Sequence, residues 1–219
     1  MTSAPQAVLF DLDGTLVDSA PDLIGALQAL CGEIGEAAPD ADAVRTVVSA
    51  GGRAMLRRGL PGFDEAAIER HLPRFLALYA DRIAQETQPY AGVVELLERL
   101  EQGGIAWGIV TNKPGWLARP LVEQLGWASR CAALVSGDCL PTKKPDPEPV
   151  LHACMQAGVE PARTWFVGDD LRDIQAGRAA GARTFAAAWG YLDGGDPSAW
   201  QADVVVATPP DLTRLLGGG

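Results

Sequence analysis

Ala7-Val8-Leu9-Phe10-Asp11-Leu12-Asp13-Gly14-Thr15 decides how this chain is read. The four apolar residues form a run short enough for a buried strand, and the glycine marks a turn directly after it. A strand that ends in carboxylates places charge at the carboxyl edge of a sheet, where open α/β sheets carry their chemistry. Asp11 and Asp13 are separated by one residue, so on an extended backbone they point to the same side. Two carboxylates held that close repel unless a cation sits between them or one takes a proton. The pair therefore implies a divalent metal, an acid/base couple, or both.

Three further stretches stand at comparable places. Ile105-Ala106-Trp107-Gly108-Ile109-Val110 reads as a strand ending in Thr111-Asn112. Lys143-Lys144-Pro145-Asp146-Pro147-Glu148-Pro149 is a basic, proline-rich turn before a helix, with prolines suited to a first helical turn. Thr164-Trp165-Phe166-Val167 is another strand, followed by Gly168-Asp169-Asp170-Leu171-Arg172-Asp173.

In this order the four stretches resemble the motifs of the haloacid dehalogenase-like phosphohydrolases, over roughly residues 7–190. The resemblance implies that Asp11 is a nucleophile forming a phosphoaspartate. Asp13 would protonate the leaving oxygen and later activate water. Thr111 would donate to a phosphoryl oxygen without adding charge. Lys144 would offset a strongly negative site and hold the attacking carboxylate ionised. Lys143 is read as solvated. Asp169 would bind a metal, and Asp173 would hold a metal-bound water or orient Lys144. Asp170 stands where many relatives have Ser. The implied cofactor is Mg²⁺, on Asp11, Asp169, Asp173 and the backbone carbonyl of Asp13, because these are hard oxygen ligands.

The segment between the first motif and the second strand carries helical signals: 22–33 after Pro21, 40–48, 53–58, and one long amphipathic run over 64–85. Pro73 is expected to kink or divide that run. Residues 19–87 thus read as an all-helical insert, and 1–18 with 88–219 as an α/β core. The insert resembles the family's helical cap, a lid that limits an open sheet edge to the intended substrate. In the core, strand and helix alternate: helices over 93–101, 115–125, 146–157 and 171–180, and strands over 132–136, 164–167, 183–187 and 204–206. Such alternation implies a doubly wound, Rossmann-like parallel sheet. Gly217-Gly218-Gly219 reads as a frayed tail.

Ser49-Ala50-Gly51-Gly52-Arg53 joins two expected insert helices. Gly52 permits close backbone approach, and Arg53 can reach a substrate carboxylate bidentately or simply sit exposed on a turn. Asn112 and Lys113 are further candidates for contacting substrate. The cap loop and the four motifs are similar to phosphatases acting on small carboxylated phosphates. 2-Phosphoglycolate is the first reading and N-acetylmuramate 6-phosphate the alternative. A phosphomutase or a hydrolytic dehalogenase of the same fold is less favoured: no cap His-Lys pair is apparent, and a dehalogenase needs neither Asp13 nor Asp169.

The chain has 219 residues and a formal net charge of −10. That balance argues against nucleic acid or an anionic membrane as partner, because no Lys/Arg cluster could offset backbone phosphates. No apolar stretch approaches the ~20 residues of a membrane span. The start, Met1-Thr2-Ser3-Ala4-Pro5, lacks the basic and apolar regions of a signal peptide. Cys31, Cys131, Cys139 and Cys154 show no paired spacing and read as free thiols in a reducing cytoplasm. His71 and His152 have no metal-ligand partner at suitable spacing. The expected partner is a small phosphorylated metabolite, bound by a monomer or homodimer.

Overall fold

A computed structural model describes residues 4–217. The chain runs through β1 (Ala7–Phe10) and β2 (Val17–Asp18), then four helices: α1 (Ala20–Ile34), α2 (Ala41–Arg45), α3 (Gly52–Gly59) and α4 (Glu65–Ala80). It returns through β3 (Gln88–Pro89) to α5 (Val93–Gln102), β4 (Ala106–Val110), α6 (Gly115–Gln124) and β5 (Ala133–Val135). Then follow α7 (Glu148–Ala157), β6 (Thr164–Gly168), α8 (Leu171–Ala180), β7 (Arg183–Ala187), β8 (Val204–Val206) and α9 (Pro209–Gly217).

Six strands form one parallel sheet in the order β5-β4-β1-β6-β7-β8. The connections step outward from β1 to β4 and β5, then jump back across β1 to β6. β1 therefore lies where the strand order reverses, the place where open sheets open a crevice. Side chains alternate between the two faces. Val8, Phe10, Trp107, Ile109, Trp165 and Val167 pack on one side with α5, α6 and α9. Leu9, Val110 and Phe166 pack on the other with α7 and α8. Burying residues such as Phe10, Trp107, Phe166 and Phe185 contributes about 1.5–3 kcal/mol each. Both faces being covered explains why the central strands β1, β4 and β6 are near-continuous apolar runs rather than alternating ones.

The helical segment expected over 19–87 is helical, with differences at its ends. α1 starts at Ala20, so Pro21 lies inside its first turn, where a missing N–H does no harm. α2 is only Ala41–Arg45, capped by Asp40, whose side chain accepts from the amides of Asp42 and Ala43. α4 passes through Pro73 undivided and ends at Ala80 instead of continuing to 85. Packing of its buried Ile68, Phe75 and Tyr79 outweighs the hydrogen bond that proline cannot make. α7 begins at Glu148, two residues later than expected. Gly217 ends α9 and is not part of a tail; Gly218 and Gly219 lie outside the described residues.

A two-stranded antiparallel ribbon was not anticipated from the sequence. Val17 pairs with Pro89 and Asp18 with Gln88, so the two chain crossings into the helical segment lie side by side. Asp22, fully buried at the start of α1, reinforces the closure. Its carboxylate accepts from the amides of Glu86 and Thr87 and from Thr87 Oγ1, at 2.7–3.1 Å. Asp22→Ala is expected to destabilise the fold by about 3 kcal/mol, because several buried donors lose one acceptor together. Asp22→Asn, which keeps an acceptor oxygen, should lose less. Thermal unfolding checks this; an unchanged midpoint for Asp22→Ala would show that the tie carries no stability.

Candidate active site

Three neighbouring strands deliver the site. Asp11, Thr111 and Asp169 are the first residues after β1, β4 and β6, all at the carboxyl edge. The turn after β1 needs Gly14: its φ is +86°, and a Cβ there would lie 2.2 Å from Asp169 Oδ2. Gly190 is pressed against the Asp169 side chain from another side, with a Cβ position 2.2 Å from its Cβ.

Lys144 sits in the middle of the acidic group, 4 % exposed. Its Nζ lies 2.8 Å from Asp11 Oδ1 and 2.7 Å from Asp173 Oδ1, and donates to the Val110 carbonyl at 2.8 Å. Burial works to lower its pKa, but the charges of Asp11 and Asp173 outweigh burial and hold the ammonium above the usual lysine range. Burial pulls Asp173 upward. Its oxygens nevertheless accept from Lys144 Nζ and from the Asp170 amide, so the contact is an ion pair. That amide bond also closes a capping box with Asp170 at the start of α8.

Asp11 Oδ1 takes two donors, Lys144 Nζ and the Leu12 amide at 2.7 Å. Among the described residues, Asp11 Oδ2 accepts no hydrogen bond, and Asp11 lines the cavity at the sheet edge. Asp13 is held apart from this group. Ser19 Oγ donates to its Oδ1 at 2.5 Å, and Lys113 Nζ lies 2.9 and 3.2 Å from its two oxygens. Lys113 Nζ also donates to the hydroxyl of Tyr79 on α4, at 2.7 Å. Burial would lower the Lys113 pKa, but Asp13 and Tyr79 hold it above the usual lysine range.

Asp169 is fully buried and accepts three bonds, from Thr15 Oγ1, Ser49 Oγ and the Tyr191 amide, each at 2.9 Å. Burial and the charge of Asp11 still push its pKa up to about 7. Carboxylate oxygens of Asp11, Asp169 and Asp173 lie within 4.8 Å of one another. The whole edge holds five carboxylates (Asp11, Asp13, Asp169, Asp170, Asp173) against three cations (Lys113, Lys144, Arg172). The oxygen-only donor set of Asp11, Asp169 and Asp173 suits Mg²⁺.

Asn112 and Thr111 support this arrangement. The Asn112 side chain donates to the Lys144 carbonyl at 3.0 Å and accepts from the Lys144 amide at 3.1 Å. It thereby fixes the loop that carries Lys144. Thr111 Oγ1 accepts from the Lys113 amide at 3.1 Å, and its residue is buried at the cavity wall.

The cavity has a volume of about 300 Å³ between the sheet edge and the insert helices. Gly52 and Arg53 line it, but the Arg53 guanidinium is bound bidentately by Glu69 of α4 through Nε and Nη2. Lys143 is exposed on the rim. Much of the wall is apolar: Leu23, Val48, Met55, Leu72, Leu76 and Leu117.

Arg172, inside the quoted fourth motif, was given no role from sequence. It binds Asp170 through Nε and Nη2 and also reaches the insert, donating to the Ser49 carbonyl at 2.8 Å. Ser19 and Tyr79 were likewise missed; Tyr79 reads from sequence as ordinary amphipathic helix. A serine just before a predicted helix was the one usable signal.

Known proteins match the chain along most of its length. The family model described as haloacid dehalogenase-like hydrolase matches residues 8–187. The chain belongs to the haloacid dehalogenase-like hydrolase family. Within that family it is a phosphatase, a phosphoric monoester hydrolase. It is 49 % identical over 209 residues to a phosphoglycolate phosphatase of Xanthomonas campestris, covering 95 % of each chain. It is 45 % identical to the N-acetylmuramic acid 6-phosphate phosphatase of Pseudomonas aeruginosa, covering 96 % of this chain and 94 % of that one. A crystal structure of a predicted phosphoglycolate phosphatase from Haemophilus somnus superposes with a TM-score of 0.87 at 25 % identity, covering 98 % and 99 % of the two chains. Among the described residues, no helix is long and apolar enough to cross a membrane.

Proposed function

We propose that this phosphatase hydrolyses a small carboxylated phosphate monoester through a phosphoaspartate on Asp11, with Mg²⁺ as cofactor. The observation that carries the reading is the Asp11 carboxylate. One oxygen is pinned by Lys144 and the Leu12 amide, and the other is free beside the cavity. Asp11 Oδ2 attacks phosphorus and forms the new O–P bond as the ester P–O bond breaks. Asp13, entering this step protonated, gives its proton to the leaving oxygen and is left as the carboxylate paired with Lys113. Asp13 then removes a proton from water, which attacks the phosphoaspartate, releases phosphate and restores the carboxylate. Thr111 donates to a phosphoryl oxygen, and Lys144 holds Asp11 Oδ1. Asp11, Asp169, Asp173 and the carbonyl of Asp13 would hold Mg²⁺, which supplies positive charge against the phosphoryl oxygens.

In this reading residues 19–87 form a cap that closes the cavity, and residues 4–18 with 88–217 form the catalytic core. Cys31, Cys131, Cys139 and Cys154 remain free thiols, as suits a reducing cytoplasm. 2-Phosphoglycolate is the first substrate, supported by the names of relatives near half identity. One observation favours N-acetylmuramate 6-phosphate as the second. The apolar wall of Leu23, Val48, Met55, Leu72 and Leu76 offers surface that a two-carbon acid leaves untouched and that acyl and lactyl methyl groups can cover. Phosphate release from both compounds and from several hexose phosphates, with Mg²⁺ and with EDTA, tests the proposal. Turnover that survives exhaustive chelation would refute the metal requirement. Preference for an uncarboxylated hexose phosphate would refute the substrate class.

Arg53 is proposed to meet the substrate carboxylate by exchanging Glu69 for it, a like-for-like bidentate partner. Arg53→Ala is expected to lower kcat/KM for the carboxylated substrate by about tenfold, and to affect a small ester without a second anionic group much less. Equal losses on both would assign Arg53 to holding α3 against α4.

A further inference from the structure

The loop over residues 46–51, between α2 and α3, leaves the helical insert and touches the core's fourth motif twice. Ser49 Oγ donates to Asp169 Oδ2 at 2.9 Å. Arg172 Nη2 donates to the Ser49 carbonyl at 2.8 Å while the same guanidinium grips Asp170 at 2.7 Å. One residue of the insert is thus fixed by both its side chain and its backbone. The other two donors to Asp169, Thr15 Oγ1 and the Tyr191 amide, belong to the core. A carboxylate rotates readily about its last bond, and the groups that bond its oxygens set the direction in which it offers a lone pair.

We propose that Ser49 is a positioning residue for the cation site. Its hydroxyl, delivered by the insert, sets the Asp169 carboxylate for Mg²⁺, so that the site is complete only while loop 46–51 is seated on Arg172. The inference rests on the reading of Asp11, Asp169 and Asp173 as Mg²⁺ ligands. Linkage makes the effect reciprocal: a loop that improves the site is itself held more firmly once the site is filled. The substrate-covering segment and the cation site then act as one unit, although no residue of 19–87 ligates the metal.

The test is calorimetric titration of the full chain with Mg²⁺ alone, free of substrate, together with hydrogen exchange at the amides of Ala50 and Gly51. Ser49→Ala should weaken Mg²⁺ binding about tenfold or more, the scale at which partners behind a metal ligand act. Ser49→Thr, which keeps a hydroxyl, should restore most of the affinity. Mg²⁺ should slow exchange at both amides in the wild type and leave it unchanged in Ser49→Ala. Wild-type affinity in Ser49→Ala overturns the inference. If Asp169→Asn meanwhile abolishes binding, the reading of the ligand set still stands. Undiminished binding in Asp169→Asn, or no binding by the wild type, overturns both together.

Discussion

Asp11→Asn is expected to bring turnover down to background, a loss on the order of 10⁵-fold, as befits removal of a nucleophile rather than of a binding contact. The substitution is nearly isosteric. The amide oxygen can still accept from Lys144 Nζ and the Leu12 amide, the two groups that hold Asp11 Oδ1. The atom that changes is the one facing the cavity, where an NH₂ group replaces a free carboxylate oxygen and cannot attack phosphorus. Folding should survive, checked by an unfolding transition close to that of the wild type. Residual turnover within about tenfold of wild type would move the nucleophile elsewhere.

Asp13→Asn is expected to slow the reaction about 10²–10⁴-fold on alkyl phosphates, the usual contribution of a positioned acid/base group. The loss in kcat/KM, which reports formation of the phosphoaspartate, should be clearly smaller on para-nitrophenyl phosphate, whose leaving group departs without a proton. Asp13 is separated from the metal-ligand candidates by its own partners, Ser19 and Lys113, so its removal leaves Asp11, Asp169 and Asp173 paired as before. With the fast-leaving ester, breakdown of the phosphoaspartate becomes limiting, and a burst of nitrophenolate should precede steady turnover. Equal losses on both substrate types would make Asp13 a structural residue.

The sheet was legible because its strands are buried on both faces and so appear as short apolar runs. The bounds of Ala7–Phe10 follow directly from that. The four chemistry-bearing stretches were legible because each lies at a strand end or in a proline-marked turn, places where local rules act. What stayed hidden depends on distant pairing. The ribbon of Val17–Asp18 with Gln88–Pro89 is two residues long and has no periodicity to detect. The length of α4 was overestimated because apolar spacing continues to Ile83, whereas the helix ends at Ala80. Tyr79 reads as one more apolar residue on that face, and only the fold brings its hydroxyl to Lys113. Arg53 was legible as a residue of the cavity wall, but its pairing with Glu69 joins two helices, and no local signal in α3 reveals it. Arg172 was visible in its motif, yet its reach to Ser49 spans two parts of the chain far apart in sequence.

The ribbon between β2 and β3 also bears on how this architecture can diversify. The excursion that begins at residue 19 leaves and rejoins the core through two adjacent strands, fastened by Asp22 to the amides of Glu86 and Thr87. The ends are already brought together, so the length of the excursion is thermodynamically almost invisible to the sheet. Doubling a loop between fixed ends costs only about 0.6 kcal/mol. A lineage can therefore lengthen, trim or exchange the material beyond this gateway, and with it the shape of the chamber roof, while the carboxylates at the strand ends keep their register.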